Sequence, residues 1–186
     1  MSTDIQVYYE ITPNPHSMKF IVTKQIADES VNFDNPATSG RSPLAQKIFG
    51  FPWAEGVFIG PNFVTITKQD WVEWEILAEP LSQLIKEHIE REEPVLNEVT
   101  SDDVDVDEND TPVVKQIKQI LNAEIRPAVA MDGGDIRFHK YENNVLHIHM
   151  QGACAGCPSS TITLKQGIEA RLQQAIPEIK EVVAVM

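Results

Sequence analysis

Two cysteines, Cys154 and Cys157, stand two residues apart in Gly152-Ala153-Cys154-Ala155-Gly156-Cys157-Pro158, and the chain has no others. Two thiolates at this spacing can turn toward one centre when the residues between them are small, as Ala155 and Gly156 are. Gly152 and Ala153 remove bulk on the near side, and Pro158 sets φ just after the second sulfur. The segment follows a predicted strand and opens a predicted helix. Ligands of α/β sheets gather outside the carboxyl ends of strands. Free backbone N–H groups at a helix start favour negative charge, which predicts lowered thiol pKa values.

Three chemistries fit such a pair. The thiolates could be two of the four ligands of an iron–sulfur cluster or a tetrahedral zinc. A symmetric second copy would then bring the other two. The pair could instead be a redox dithiol of the thioredoxin type, although a helix and a hairpin precede it here rather than a βαβ segment. Or the cysteines could simply pack as small hydrophobes. Gly152, Gly156 and Pro158 speak against a core position, because such residues belong to loops. Spacing alone favours the metal over the dithiol and leaves both open.

The elements that must hold this loop are readable around it. Thr111-Pro112 is a helix start, and Val113, Val114, Ile117, Ile120, Leu121 and Ile125 form a helical stripe. Asp132-Gly133-Gly134-Asp135 breaks it. Ile136 and Phe138 then alternate with Arg137, His139 and Tyr141. Asn143-Asn144 turns the chain, and Leu146, Ile148 and Met150 alternate with Val145, His147 and His149. After the cysteine loop, Ser159 or Ser160 caps a helix carrying Leu164, Ile168, Leu172 and Ile176, which Pro177 ends. Val182 to Val185 reads as a buried strand. Strand, loop, helix and strand in that order predict a right-handed crossover with parallel pairing.

The first 91 residues read as a separate α+β unit without cysteine. Ile5 to Glu10 and Met18 to Thr23 are predicted strands. The stretch from Asp28 to Gly40 reads as loop. Ser42-Pro43 opens a helix with Leu44, Ile48 and Phe51 on its apolar side. Gly60-Pro61-Asn62 joins two more strands. Trp71 to Glu92 is amphipathic, with Ile76, Leu77, Leu81, Leu84, Ile85 and Ile89 on one face and Pro80 kinking it or starting its helix.

Charge explains what lies between. The 186 residues carry a formal net charge of −13. Ten acids face one base, Arg91, between Glu90 and Pro112, whereas Val113 onward is nearly balanced, with eight bases and seven acids. Residues 92–111 are therefore expected to form a self-repelling, flexible acidic linker. The fold class expected is α+β, with two small α/β-layer domains, 1–91 and 112–186, on either side of it. This acidity argues against nucleic acid and anionic membrane as partners. The opening MSTDIQVYYE has neither a secretory pattern nor an Arg-rich transit pattern, and this predicts a cytoplasmic setting.

Other groupings carry less. Asp132-Gly133-Gly134-Asp135 reads first as a tight connection, with glycines at positive φ and aspartates capping backbone. His139, His147 and His149 share the polar face of the hairpin, and a solvated face is preferred to a zinc site. Trp53, Trp71 and Trp74 read as core or interface anchors. No dinucleotide or P-loop pattern occurs.

Ile125-Arg126-Pro127, Met131 to Ile136, Gly152 to Ser160, Thr163-Leu164-Lys165 and Gly167-Ile168-Glu169 together resemble the C-terminal domain of NifU, the Nfu domain. Thr12-Pro13-Asn14-Pro15, Lys19-Phe20, Ser42 to Ala45, Gly56-Val57-Phe58 and Phe63-Val64-Thr65 resemble the Nfu N-terminal domain. The resemblance implies a scaffold or carrier, not an enzyme. It would bind a labile [4Fe–4S] cluster through Cys154 and Cys157 of two subunits and pass it to apo iron–sulfur proteins. Upstream assembly proteins would be further partners, and the cluster-bound form would be a homodimer. A thiol–disulfide oxidoreductase and a zinc-bridged structural dimer are the alternatives.

Overall fold

The computed structural model describes residues 4–97, 109–155 and 158–185; of residues 158–160 only the backbone is described. The chain is α+β and divides into two compact units, Met1–Val99 and Thr100–Met186.

In the first unit, β1 (Val7–Ile11), β2 (Ser17–Val22), β3 (Val31–Phe33), β4 (Ala54–Ile59) and β5 (Phe63–Lys68) form one antiparallel sheet in the order β1-β2-β5-β4-β3. Helices α1 (Pro43–Phe49) and α2 (Trp74–Glu90) complete the core. Phe20, Leu44, Ile48, Ile59, Ile66 and Ile85 are fully buried in it. The stretch expected as loop holds a strand and a short turn of 3-10 helix. Val31 pairs with Ile59 and Phe33 with Val57, so tertiary pairing orders a three-residue strand too short to show a period. Pro80 lies inside α2 rather than at its start. Ile76 is 68% exposed, contrary to the expected apolar face. The buried stripe runs through Leu77, Ala78, Leu81, Ser82, Ile85 and Ile89, and Ile76 falls outside it. Phe51 is also exposed and stacks on Trp53, with ring centroids 5.2 Å apart.

Residues 92–97, expected as the start of the acidic linker, are held to the first unit. Val95 belongs to the first core. Ser42 Oγ accepts from the N–H of Ala45, capping α1, and donates to the Val95 carbonyl at 2.6 Å. Asn97 N–H donates to the Arg41 carbonyl at 2.8 Å. Residues 92–97 are thus strapped to the first unit, while residues 98–108 of the expected acidic linker lie outside the described residues.

His88 fastens the same strap, a role without any sequence signal. Its ring is buried; Nδ1 accepts from the Lys47 ammonium at 3.0 Å and Nε2 donates to the Pro94 carbonyl at 3.1 Å. Burial lowers its pKa most. The Lys47 charge lowers it further, and the Pro94 bond and Glu93 act against this. The folded state therefore holds His88 neutral, and the unfolded chain binds its proton more tightly. Stability of this unit should fall as pH drops below about 6.5, the ordinary histidine value, toward the depressed folded value. Trp53, Trp71 and Trp74 are the only tryptophans and all lie in this unit. Tryptophan-monitored melts between pH 7.5 and 5.5 should show a loss of stability that His88→Gln flattens; equal slopes would remove His88 as the cause.

The second unit opens with α3 (Pro112–Ile120), capped by Thr111, whose Oγ1 accepts from Val114 N–H at 3.3 Å. One wide π turn, Leu121–Ile125, leads into α4 (Arg126–Met131). Pro127 has no N–H for the regular ladder, and Arg126 N–H reaches back five residues to the Leu121 carbonyl. Then come β6 (Gly134–Glu142), β7 (Val145–Gly152), α5 (Pro158–Ala175) and β8 (Glu181–Val185). The sheet order is β6-β7-β8; β6 and β7 are antiparallel, and β7 and β8 are parallel, with α5 as the crossover. Asn143 and Asn144 both take positive φ, 53° and 66°, as a two-residue hairpin turn requires. The core is built from Ile117, Leu121, Ile125, Val129, Ile136, Leu146, Ile148, Cys154, Ile168, Leu172, Ile176, Ile179 and Val182, so Cys154 takes the core position that its loop neighbours argued against.

Three expectations change here. The β6–β7 register slips between Phe138 and Lys140, so Tyr141 pairs with Leu146 and packs on the core rather than joining the polar face. A bulge adds one residue and flips the alternation after it. β8 lies at a sheet edge; Val182 is fully buried but Val183 to Val185 only half so. Helix α5 begins at Pro158, ahead of the expected Ser159 or Ser160 cap. Among the described residues, no helix is long and apolar enough to cross a membrane.

Candidate metal centre

Cys154 sits where β7 ends and before α5 begins, at the carboxyl end of the strand. Gly152 pairs with Gly134, so the last residue of β7 lies opposite the first residue of β6. Gly152 (φ 63°) and Gly133 (φ 80°) both occupy the left-handed region, which turns the two chains tightly. Ala153 N–H donates to the Gly133 carbonyl at 3.2 Å, and Ala155 N–H donates to the Gly152 carbonyl at 3.1 Å. The glycine segment between α4 and β6 and the cysteine loop are thereby one structure.

Gly134 is the floor of that structure. A Cβ placed on it would stand 2.3 Å from Cys154 Sγ and 2.8 Å from the Gln151 carbonyl oxygen. Its role is close approach of backbone to sulfur, where the sequence suggested only positive φ. Gly134→Ala should force the loop off the sheet and cost the second unit about 1–3 kcal/mol, the usual range for overpacking. Urea denaturation followed by amide NMR signals of residues 113–185 measures it; an unchanged midpoint would mean that the loop yields freely.

Asp135 is the polar anchor. It is 4% exposed, and both its oxygens are held by Arg126, Nε to Oδ1 at 2.8 Å and Nη2 to Oδ2 at 2.9 Å. Its Oδ1 also accepts from Ile136 N–H at 2.8 Å. Arg126 Nη1 donates to Asn122 at 2.9 Å. The π turn and Pro127 set the helix phase that presents Arg126 to the start of β6. The sequence singled out both residues but not their pairing, which crosses from helix to strand.

Cys154 is 5% exposed, and its thiol is pushed up to about 12. Burial is the chief cause, followed by the negative charges of Asp132 and Asp135. This reverses the lowered pKa expected from a helix start. Desolvation and two carboxylates outweigh whatever the backbone N–H groups contribute at this sulfur. Gly156 and Cys157 lie outside the described residues, so the expected pair is placed at its first member only.

The histidines stay apart from this site. His139 Nδ1 and His149 Nε2 stand 3.0 Å apart on the exposed hairpin face. Among the described residues, no group of three His, Cys, Asp or Glu is placed to hold a metal ion.

The described part of the site is one buried sulfur donor, Cys154, in a glycine-built loop at a sheet-to-helix junction. Residues 7–92 match the family model described as "Scaffold protein Nfu/NifU N terminal", and residues 117–183 match "NifU-like domain". The chain is 39% identical over 177 residues to a human protein named "NFU1 iron-sulfur cluster scaffold homolog, mitochondrial", covering 94% of this chain and 70% of that one. A Drosophila sechellia protein of the same name is 40% identical over 174 residues, covering 92% of this chain and 62% of that one. The solution structure of a NifU-like protein from Saccharomyces cerevisiae superposes with a TM-score of 0.47 at 26% identity, covering 53% of this chain and 91% of that one. The chain belongs to the Nfu/NifU scaffold family. The cytoplasmic setting expected from the first ten residues is overturned, because the human and Drosophila relatives are named mitochondrial. The chain spans only part of those relatives, so its own first residues say nothing of a leader.

Proposed function

We infer that this protein is an iron–sulfur cluster assembly scaffold that takes a [4Fe–4S] cluster as cargo between two copies, each supplying Cys154 and Cys157, and passes it to apo-proteins. The observation that carries this reading is the thiol inventory: two cysteines in the whole chain, one of them Cys154 in a glycine-floored loop. A cluster needs four such ligands, and a second copy of the same loop supplies the missing two. The relatives' names agree with a scaffold role and make the mitochondrion the compartment to test.

Cargo uptake needs Cys154 as thiolate. The cluster brings positive iron against the sulfur, which offsets the buried environment that now favours the thiol. Gly134 and the Ala153–Gly133 hydrogen bond hold the loop against the sheet end, and Arg126 neutralises Asp135 beneath it. Release is thiolate exchange: an incoming cysteine of the recipient gives up its thiol proton and forms its iron–sulfur bond as Cys154 or Cys157 gives up its own, and the freed sulfur takes up a proton in turn. A buried thiol with raised pKa is a poor attacking nucleophile, which weighs against Cys154 as the attacking thiol of a dithiol oxidoreductase.

Anaerobic reconstitution of the full chain with ferrous iron and sulfide tests this. A brown dimer with about four irons per pair is expected. A colourless monomer that reduces disulfides, or a colourless dimer that retains zinc, would replace the reading.

A further inference from the structure

We propose that His139 and His149 chelate one divalent transition cation of the zinc type on the exposed face of the β6–β7 hairpin, outside the cysteine loop. The inference is independent of the cluster reading.

The bulge in β6 builds the pair. Arg137 pairs with His149 and Phe138 with Ile148, but the next pair is Lys140 with His147, so His139 is the extra residue. In an unbroken ladder His139 would stand directly opposite His147. A bulge re-aims the side chain it carries, and the His139 ring meets that of His149 on the neighbouring strand. His149 Nε2 and His139 Nδ1 are 3.0 Å apart. The ring centroids are 4.5 Å apart and the planes stand at 75°. His139 is exposed and His149 half-buried, so the pair opens on solvent.

The separation suits a shared cation. Two nitrogens bound to one ion at about 2.0–2.1 Å stand about 2.8–3.4 Å apart, for angles between square and tetrahedral. Without metal, a hydrogen bond holds the same distance, one ring donating and the other accepting. The two rings therefore cannot both be imidazolium while they are so joined. Coordination needs both facing lone pairs. The donor ring supplies its own when its proton passes through solvent to its other nitrogen, and no proton is lost overall.

The surroundings leave the pair available. The two cationic side chains of β6 on this face each have a carboxylate of their own. Lys140 Nζ lies 3.2 Å from Glu142, and Arg137 Nε lies 3.7 Å from Asp135. On the other flank β8 sets Val183 beside His147 and Val185 beside His149. Among the described residues no third His, Cys, Asp or Glu completes a metal site, so water fills the remaining positions. Imidazole nitrogen suits zinc, copper and nickel.

The test is calorimetric titration of zinc at pH 7.5 into the full chain carrying Cys154→Ser and Cys157→Ser, which removes the thiols as competing ligands. One zinc per chain with a dissociation constant below about 100 μM is expected. On this background His139→Gln and His149→Gln should each weaken binding at least about tenfold, because a chelate loses its bite with either nitrogen. His147→Gln should stay within about twofold. Imidazole proton–nitrogen NMR spectra of the parent chain read the same event with every histidine in place, so the outcome does not depend on how a variant folds. His139 Nδ1 and His149 Nε2 should both shift once zinc exceeds what the thiols take. Zinc uptake that both glutamine variants leave unchanged, or ring nitrogens that do not respond, overturns the site. A loss in His147→Gln equal to theirs overturns chelation by this pair. None of these outcomes touches the cluster reading, which iron and sulfide retention decides.

Discussion

Cys154→Ala and Cys157→Ala are each expected to reduce iron and sulfide retention after anaerobic reconstitution to background, while both units stay folded. A cluster bridging two copies loses two of four thiolates when one cysteine per chain is removed, and the remaining two do not hold it. Cys154 is buried with its sulfur over Gly134, so its truncation leaves a small void and costs about 1 kcal/mol. Cys154→Ser keeps the volume and should fail at uptake equally. Iron, sulfide and absorption near 400 nm report retention, and amide NMR signals of residues 113–185 report folding. Full-occupancy uptake by either alanine variant would sink the ligand assignment.

Arg126→Leu is expected to destabilise the second unit by about 3 kcal/mol. The Asp135 side chain is 6% exposed and that of Arg126 27%, so the pair is buried mainly on the carboxylate side. Without Arg126, Asp135 keeps one backbone N–H, and its nearest cation is Arg137 at 3.7 Å. An uncompensated buried carboxylate is what makes such losses large. The figure is the cost of a broken pair and not the pair's net contribution, so the Arg126→Leu, Asp135→Leu double variant should recover much of it. Urea denaturation by amide NMR gives the midpoint for this unit. Tryptophan fluorescence, which reports the first unit alone, should not move. A double variant as unstable as the single one would show that the loss comes from Arg126 packing instead.

The helices and strands that carry the site were legible because their periods are long. The hairpin from Gly134 to Gly152 and the crossover into β8 follow from alternation, a two-asparagine turn and an apolar helix between strands. The short strand Val31–Phe33 was not legible, since three residues hold no period and β4 orders them from outside. The bulge that returns Tyr141 to the core was not legible either. Its cause is the pairing register across two strands, and alternation within one strand does not record it. The attachment of residues 92–97 to the first unit escaped composition for a similar reason. Glu92 and Glu93 read as part of an acidic run, while Val95 and the Ser42, Arg41 and His88 contacts hold the strap down.

Chemistry at the loop divides the same way. Residue type and spacing alone determined that Cys154 and Cys157 are the only thiols, that one chain falls two ligands short of a four-thiolate cluster, and that the residues from Val113 onward carry almost no net charge. Those are counts, and counts survive any folding. The environment of the sulfur was a matter for the folded chain. Gly134 passes beneath Cys154, Arg126 reaches Asp135 from a helix re-phased by Pro127, and burial with Asp132 and Asp135 raises a thiol pKa that a helix start alone would lower. Each of these depends on which distant residues are brought together, and electrostatics and close contact act through space rather than along the chain.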